Sequence, residues 1–152
     1  MATKKKVGWG KCTLSEKATA QGEAVTYSDI AINTCKLSVE EGDETEAQIE
    51  GGEAEARKKN PDKYTVVAER RIEDPTEVND VLGFTDEIAS VEIVPESVGA
   101  CGVKLVNPSR HVAVSYDTTD GMKAIYTYKT KGATDPSTGK LTDITFQKKV
   151  AG

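Results

Sequence analysis

Apolar and polar residues alternate along most of this chain with a period of two, the spacing of a strand that has one wet face. The densest stretch runs from Glu40 to Arg57. Within it, Thr45 to Glu50 places Ala47 and Ile49 on one face and Glu46, Gln48 and Glu50 on the other. Gly51-Gly52 reads as a bulge or kink, and Glu53-Ala54-Glu55-Ala56-Arg57 resumes the alternation. Upstream, Ile30 to Val39 predicts a strand with Ile30 and Ile32 on one face, followed by a turn at Glu40-Glu41-Gly42-Asp43. Downstream, Asn60-Pro61-Asp62-Lys63 signals a turn. A strand then carries Tyr64, Val66, Ala68 and Ile72 inward, with Thr65, Val67, Glu69 and Arg71 opposite.

The same pattern predicts strands over Ser90 to Val94, Val103 to Val106, His111 to Tyr116, Met122 to Lys131 and Leu141 to Val150. Asp117-Thr118-Thr119-Asp120-Gly121 carries the Asp-Gly signature of a hairpin loop. Gly132 to Lys140 is a long polar loop with few apolar anchors. One helix is legible. Asp74 caps it, Pro75 fits its first position, Val78, Val81 and Leu82 share a face, and Gly83 ends it. These elements predict a mainly β fold, an antiparallel β-sandwich or a partly closed barrel with one short flanking α-helix.

Composition agrees with thin β layers. The chain has 152 residues, enough for one domain over 1–152, with 37% hydrophobic, 5% aromatic and 30% charged residues. The net charge of −5 is the wrong sign for a protein that neutralises nucleic-acid phosphate over its whole surface. The acidity is concentrated between Glu40 and Glu55, whereas Lys4-Lys5-Lys6 and Lys148-Lys149 make both ends basic. Those lysines are either solubilising residues of frayed tails or arms that dock on an acidic belt of a neighbouring copy. No apolar segment follows the first lysines as in a secretory signal, and no run approaches the roughly 20 apolar residues of a membrane span. Cytoplasmic synthesis is the expectation, with no membrane partner.

Candidate chemistry is sparse. His111 is the sole histidine and heads an apolar strand, a setting for a packed or surface residue rather than a base. Cys12, Cys35 and Cys101 have no CxxC or metal-ligand spacing and read as reduced, small hydrophobes. Gly8-Trp9-Gly10 lacks phosphate-loop spacing; Trp9 reads as a packing anchor ahead of a ligand platform. The expectation is no enzyme, no metal and no cofactor.

Taken together, the Trp-Gly-Lys start, the Ile30/Ile32 strand, the Glu-rich Gly-Gly-Glu segment, the Tyr64 strand, the short capped helix and the terminal hairpin resemble the major tail tube proteins of tailed phages and prophages. These are related in architecture to type VI secretion tube proteins. The resemblance spans most of the chain through strand order and a loose acidic pattern. It implies a virion tail subunit, made in the bacterial host's cytoplasm, that forms stacked rings, typically hexamers. The genome would pass through the resulting tube without specific binding. It also implies the chain itself as chief partner, with tape-measure and baseplate proteins as further ones. Carried onto these residues, Glu46, Glu50, Glu53 and Glu55 are candidate lumen-lining carboxylates. Lys4, Lys5 and Lys6, on a flexible basic arm over about residues 1–10, and Asp135 and Pro136 in the long loop are candidate ring-to-ring contacts. Lys58-Lys59 and Arg70-Arg71, close in sequence to the acidic strands, leave room for a lumen of mixed charge. The competing reading is a non-catalytic β-sandwich binding module for carbohydrate or protein; a small hydrolase built on dispersed carboxylates is the third.

Overall fold

A computed structural model of the chain describes residues 12–27, 35–42, 44–48, 54–72, 74, 76–96, 98–119 and 121–149, with the backbone alone at 44–48, 54–59 and 77. In chain order the elements are β1 (Cys12–Lys17), β2 (Val25–Tyr27), β3 (Lys36–Glu40), β4 (Glu44–Gln48), β5 (Ala54–Lys59), β6 (Lys63–Arg71) and α1 (Thr76–Asn79). There follow β7 (Gly83–Thr85), β8 (Ser90–Pro95), β9 (Cys101–Val106), β10 (Ser109–Asp117), β11 (Gly121–Lys129) and β12 (Ile144–Lys148).

Two five-stranded sheets form, ordered β12-β9-β8-β1-β2 and β3-β6-β11-β10-β7, with β4 and β5 in a separate two-stranded ribbon. Every strand pairing is antiparallel. The fold is mainly β and sandwich-like. Neither sheet closes on itself, so the barrel alternative falls away.

Alternation explains why these segments are strands and how the layers meet. On β6, Val66, Ala68 and Arg70 are buried in turn; on β11, Ala124, Tyr126 and Tyr128 are. From the first sheet Leu14, Val91, Val103 and Leu105 face them, making one apolar cluster between the layers. Tyr64 and Phe146 close one flank, their rings 6.3 Å apart and edge to face.

The local signals behave as their chemistry dictates. Asp74 Oδ1 accepts from the Thr76 backbone N–H at 3.1 Å and from its hydroxyl at 2.8 Å, which lowers the carboxyl pKa below its ordinary value. The helix it caps is a single turn; Val78 is buried, Val81 partly buried and Leu82 exposed. The expected cap at Gly83 is not where the helix stops: α1 ends at Asn79, and Gly83, at φ 109°, is the first residue of β7. The Asp117–Gly121 turn joins β10 to β11 in full register. At the base of the β4–β5 ribbon, a side chain on Gly42 would sit 1.8 Å from the Asn60 carbonyl oxygen, so only glycine lets the strands converge there.

The structure adds to these expectations and alters one of them. Of the strand expected over Ile30 to Val39, the described part begins at Lys36 as β3, and Ile30 and Ile32 lie outside the described residues. β1, β2 and β7 were not foreseen. The inward row of β6 runs through Arg70, not around it. The ribbon has a register shift between Ala47 and Gln48, and the bulge expected at Gly51-Gly52 lies outside the described residues.

β1 is thus the central test of the packing. Leu14 is fully buried, so Leu14→Ala is expected to cost about 2–5 kcal/mol in urea unfolding with an unchanged m-value. An unmoved midpoint would mean that β1 is not a core strand.

Candidate functional site

The most heavily charged place inside the described residues is a cluster between the sheets. Glu16, on β1, is 4% exposed. Its Oε1 accepts from Arg110 Nη1 at 2.7 Å, and its Oε2 accepts from the Tyr128 hydroxyl at 2.5 Å. Arg110 and Tyr128 are direct cross-strand partners on β10 and β11, so one pair of the second sheet receives one carboxylate of the first. Burial, the Glu16 charge and the hydrogen bond to it all push the Tyr128 phenol pKa up, which keeps it a donor.

A more deeply buried cation lies nearby. Arg70 is 5% exposed, donates from Nη1 to the Tyr126 hydroxyl at 3.0 Å, and holds its guanidinium 4.2 Å from the Tyr27 ring centroid. Tyr27 stacks on Tyr126 with centroids 5.3 Å apart. A cation over an aromatic face is stabilised by the ring quadrupole, more so when desolvated. Chemically the cluster is a clamp: each charge meets a fixed partner.

The surface offers a different kind of site. Among the described residues, β3 pairs only with β6, leaving its other edge open. At the opposite side of the same sheet, β7 pairs with β10 only over Arg110 to Val112. The stretch 113–117 of β10 therefore has no strand on that side among the described residues. Along these edges Val39 is 56% exposed, Val114 38% and Tyr116 72%. Val114 and Tyr116 continue the row of Arg110 and Val112, and Val39 continues that of Leu37, so all three extend the inner face of the sheet past its own core. Bare edges with apolar residues invite pairing with another chain. The other notable concavity is a shallow open groove of about 240 Å³ over β8, β9 and β12, below the usual size of a small-molecule pocket.

The candidate lumen residues fall on the acidic ribbon or next to it. Glu46 is in β4 and Glu55 in β5, while Glu50 and Glu53 lie outside the described residues. Register sets Glu46 opposite Arg57 and Glu44 opposite Lys59, so the ribbon pairs acidic with basic positions. Lys4, Lys5 and Lys6 also lie outside the described residues. Asp135 and Pro136 sit in a loop that is well tied. Thr134 bridges Leu141, the Asp135 carboxylate accepts from Ser137, and Asp143 Oδ2 accepts from Gly132 N and Ala133 N at 2.8 Å each. The Ser137 bonds lower the Asp135 carboxyl pKa.

His111 is exposed on β10, and Trp9 lies outside the described residues. Cys12 and Cys35, distant in sequence, are brought together as a hydrogen-bonded thiol pair. Sequence reasoning missed Glu16, Arg70 and Arg110 because each is a charge in an inward slot of an alternating strand. That position was itself the available signal. Among the described residues no group of three or more His, Cys, Asp and Glu is placed to hold a metal ion. Compared with known proteins, the sequence matches no protein-family model and no curated protein.

The clamp makes a quantitative prediction. Glu16→Gln leaves the largely buried Arg110 guanidinium, its side chain 11% exposed, without its counter-charge and is expected to cost about 3 kcal/mol. Adding Arg110→Met recovers part of that loss, so a double-mutant cycle by urea unfolding gives a large coupling. Strictly additive losses would mean that the pair does not act as a unit.

Proposed function

We propose that this chain is a structural subunit that joins copies of itself edge to edge into rings, which stack into a tube of the kind the tail tube resemblance implies. The observation that supports this reading is the pair of edges on the second sheet, complementary and open among the described residues.

Strand direction decides which edges can meet. In a five-stranded antiparallel sheet the outermost strands run the same way, so joining them head to tail gives a parallel contact, the less stable pairing. That applies to β2 against β12 and to β7 against β3. β10 is one strand further in and runs opposite to β3. Because β7 is only three residues long, 113–117 has no strand beside it on that side among the described residues and is free to take an antiparallel neighbour.

Adding a neighbour's β3 to that stretch sets Leu37 opposite Tyr116, Val39 opposite Val114 and Lys36 opposite Asp117. Inner-face apolar residues then meet apolar residues, and outer-face ends meet opposite charge. The contact is heterologous, so a suitable rotation per copy closes it into a ring and removes the open edges.

On this reading the β4–β5 ribbon is the candidate wall of the lumen, with Glu46, Glu50, Glu53 and Glu55 as its carboxylates. The paired basic positions Arg57 and Lys59 favour a wall of mixed charge over a uniformly negative one. Such a surface still lets DNA pass without a cationic patch to hold it. The chain's main partner is itself, its role is structural rather than catalytic, and its place is a virion tail.

A charge exchange tests the edge directly. Light scattering and negative-stain electron microscopy over a concentration series should show rings or tubes of the unaltered chain. Lys36→Glu or Asp117→Lys alone should raise the concentration for half-assembly by roughly two- to fivefold, and the two together should restore it. A chain that stays monomeric throughout, or single variants that assemble normally, would contradict the proposal.

A further inference from the structure

The first sheet ends on a strand that the edge-to-edge ring leaves unused. β12 pairs only with β9 among the described residues. The backbone bonds around it fix which of its groups face outward. Val106 N donates to the Asp143 carbonyl and Lys149 N to the Ala100 carbonyl, each at 2.9 Å. Antiparallel bonding alternates residue by residue, so 143, 145, 147 and 149 turn their N–H and C=O groups to β9. Ile144, Phe146 and Lys148 turn theirs to the other side. On the same strand Phe146 is 57% exposed, with its ring edge to face on Tyr64. Edge strands are usually guarded by charge, whereas Ile144 to Gln147 carry none.

We propose that β12 is a further self-association surface, at which two copies pair β12 with β12 antiparallel about a two-fold axis through Phe146. This goes beyond the ring and does not rest on it, because the ring contact uses β3 and β10 of the other sheet. The register follows from the outward-facing set. An axis at the middle of three alternate residues sets Phe146 opposite Phe146 of the second copy, and Ile144 opposite its Lys148. Every outward N–H then meets an outward C=O, giving about six hydrogen bonds across the seam. Shifting the axis by one residue either way pairs only two of the three and sets Phe146 against Ile144 or Lys148.

The side chains suit that register. On the inner face the two Phe146 rings meet at the axis, each backed by Tyr64 of its own copy, so aromatic surface closes over the seam. On the outer face Thr145 lies opposite Gln147 of the second copy, polar against polar. At the ends Lys149 stands opposite Asp143, and no two lysines face each other. Asp143 Oδ1 is buried and has no donor among the described residues, so the carboxylate at that end has capacity left for a cation. Joined in this way, two five-stranded sheets become one of ten strands, about the upper size for an open twisted sheet. The contact is isologous, so it closes at two copies.

Sedimentation velocity of the full chain, below the concentration at which larger assemblies form, tests the surface. The expected result is a monomer–dimer equilibrium that Phe146→Lys weakens roughly tenfold, because it sets two cations opposite each other at the axis. Phe146 is more than half exposed, so that variant should keep the far-UV circular dichroism of the unaltered chain. Lys36→Glu, which acts on the ring contact, should leave the dimer unchanged. Cross-linking reads the register. In a Cys101→Ser background, Thr145→Cys and Gln147→Cys together should give a disulfide-linked dimer on air oxidation, since such a pair brings Cα atoms to about 4.5 Å. Either cysteine alone should not. A dimer unaffected by Phe146→Lys, one cross-linked equally by either single cysteine, or a chain that stays monomeric over the whole range would overturn the proposal.

Discussion

A carboxylate between two sheets has to be matched, and that requirement organises this sandwich. Glu16 is nearly without solvent, and both its oxygens are satisfied by residues of the opposite layer. The partners, Arg110 and Tyr128, face each other across one β10–β11 pair. A slip of one residue in β1, β10 or β11 would turn one of the three outward and leave a buried charge alone. Apolar packing between sheets tolerates many registers; this interaction tolerates one. The price is desolvation of both ions, so the pair adds less to stability than to uniqueness. Arg70 over Tyr27 and Tyr126 extends the same constraint to β6 and β2.

Fixing the two sheets against each other also fixes where the second sheet stops. Arg110 to Val112 of β10 are covered by β7, and beyond them the inner-face row runs on through Val114 and Tyr116 without a facing layer or a lateral strand among the described residues. Natural edges are usually shortened, charged or covered. Here β7 is so short that 113–117 of β10 has no lateral strand among the described residues. On the proposed reading the clamp and that edge work together, the one fixing the interior and the other offering the surface that a second copy would pair with.

Much of this was legible in the sequence because alternation is a local property. The strands at 63–71, 90–95, 101–106, 109–117 and 121–129, the Asp117–Gly121 turn and the Asp74 cap all follow from neighbouring residues. What escaped notice shares one physical cause. β1 reads Cys-Thr-Leu-Ser-Glu-Lys, where Glu16 occupies an inward slot, so the apolar row breaks after Leu14. Arg70 and Arg110 break their rows in the same way. Whether such a charge is an outward-facing error or a buried partner depends on a residue far along the chain, here 94 positions away for Glu16 and Arg110. The thiol pair is equally non-local. Strands of three residues, β2 and β7, are too short to show any period.

Electron cryomicroscopy of the assembled protein would test the account most directly. It predicts a ring in which β3 of each copy runs antiparallel along 113–117 of the next, with Val39 beside Val114 and Lys36 beside Asp117. A ring closed through other surfaces, with both of those edges left facing solvent, would contradict it.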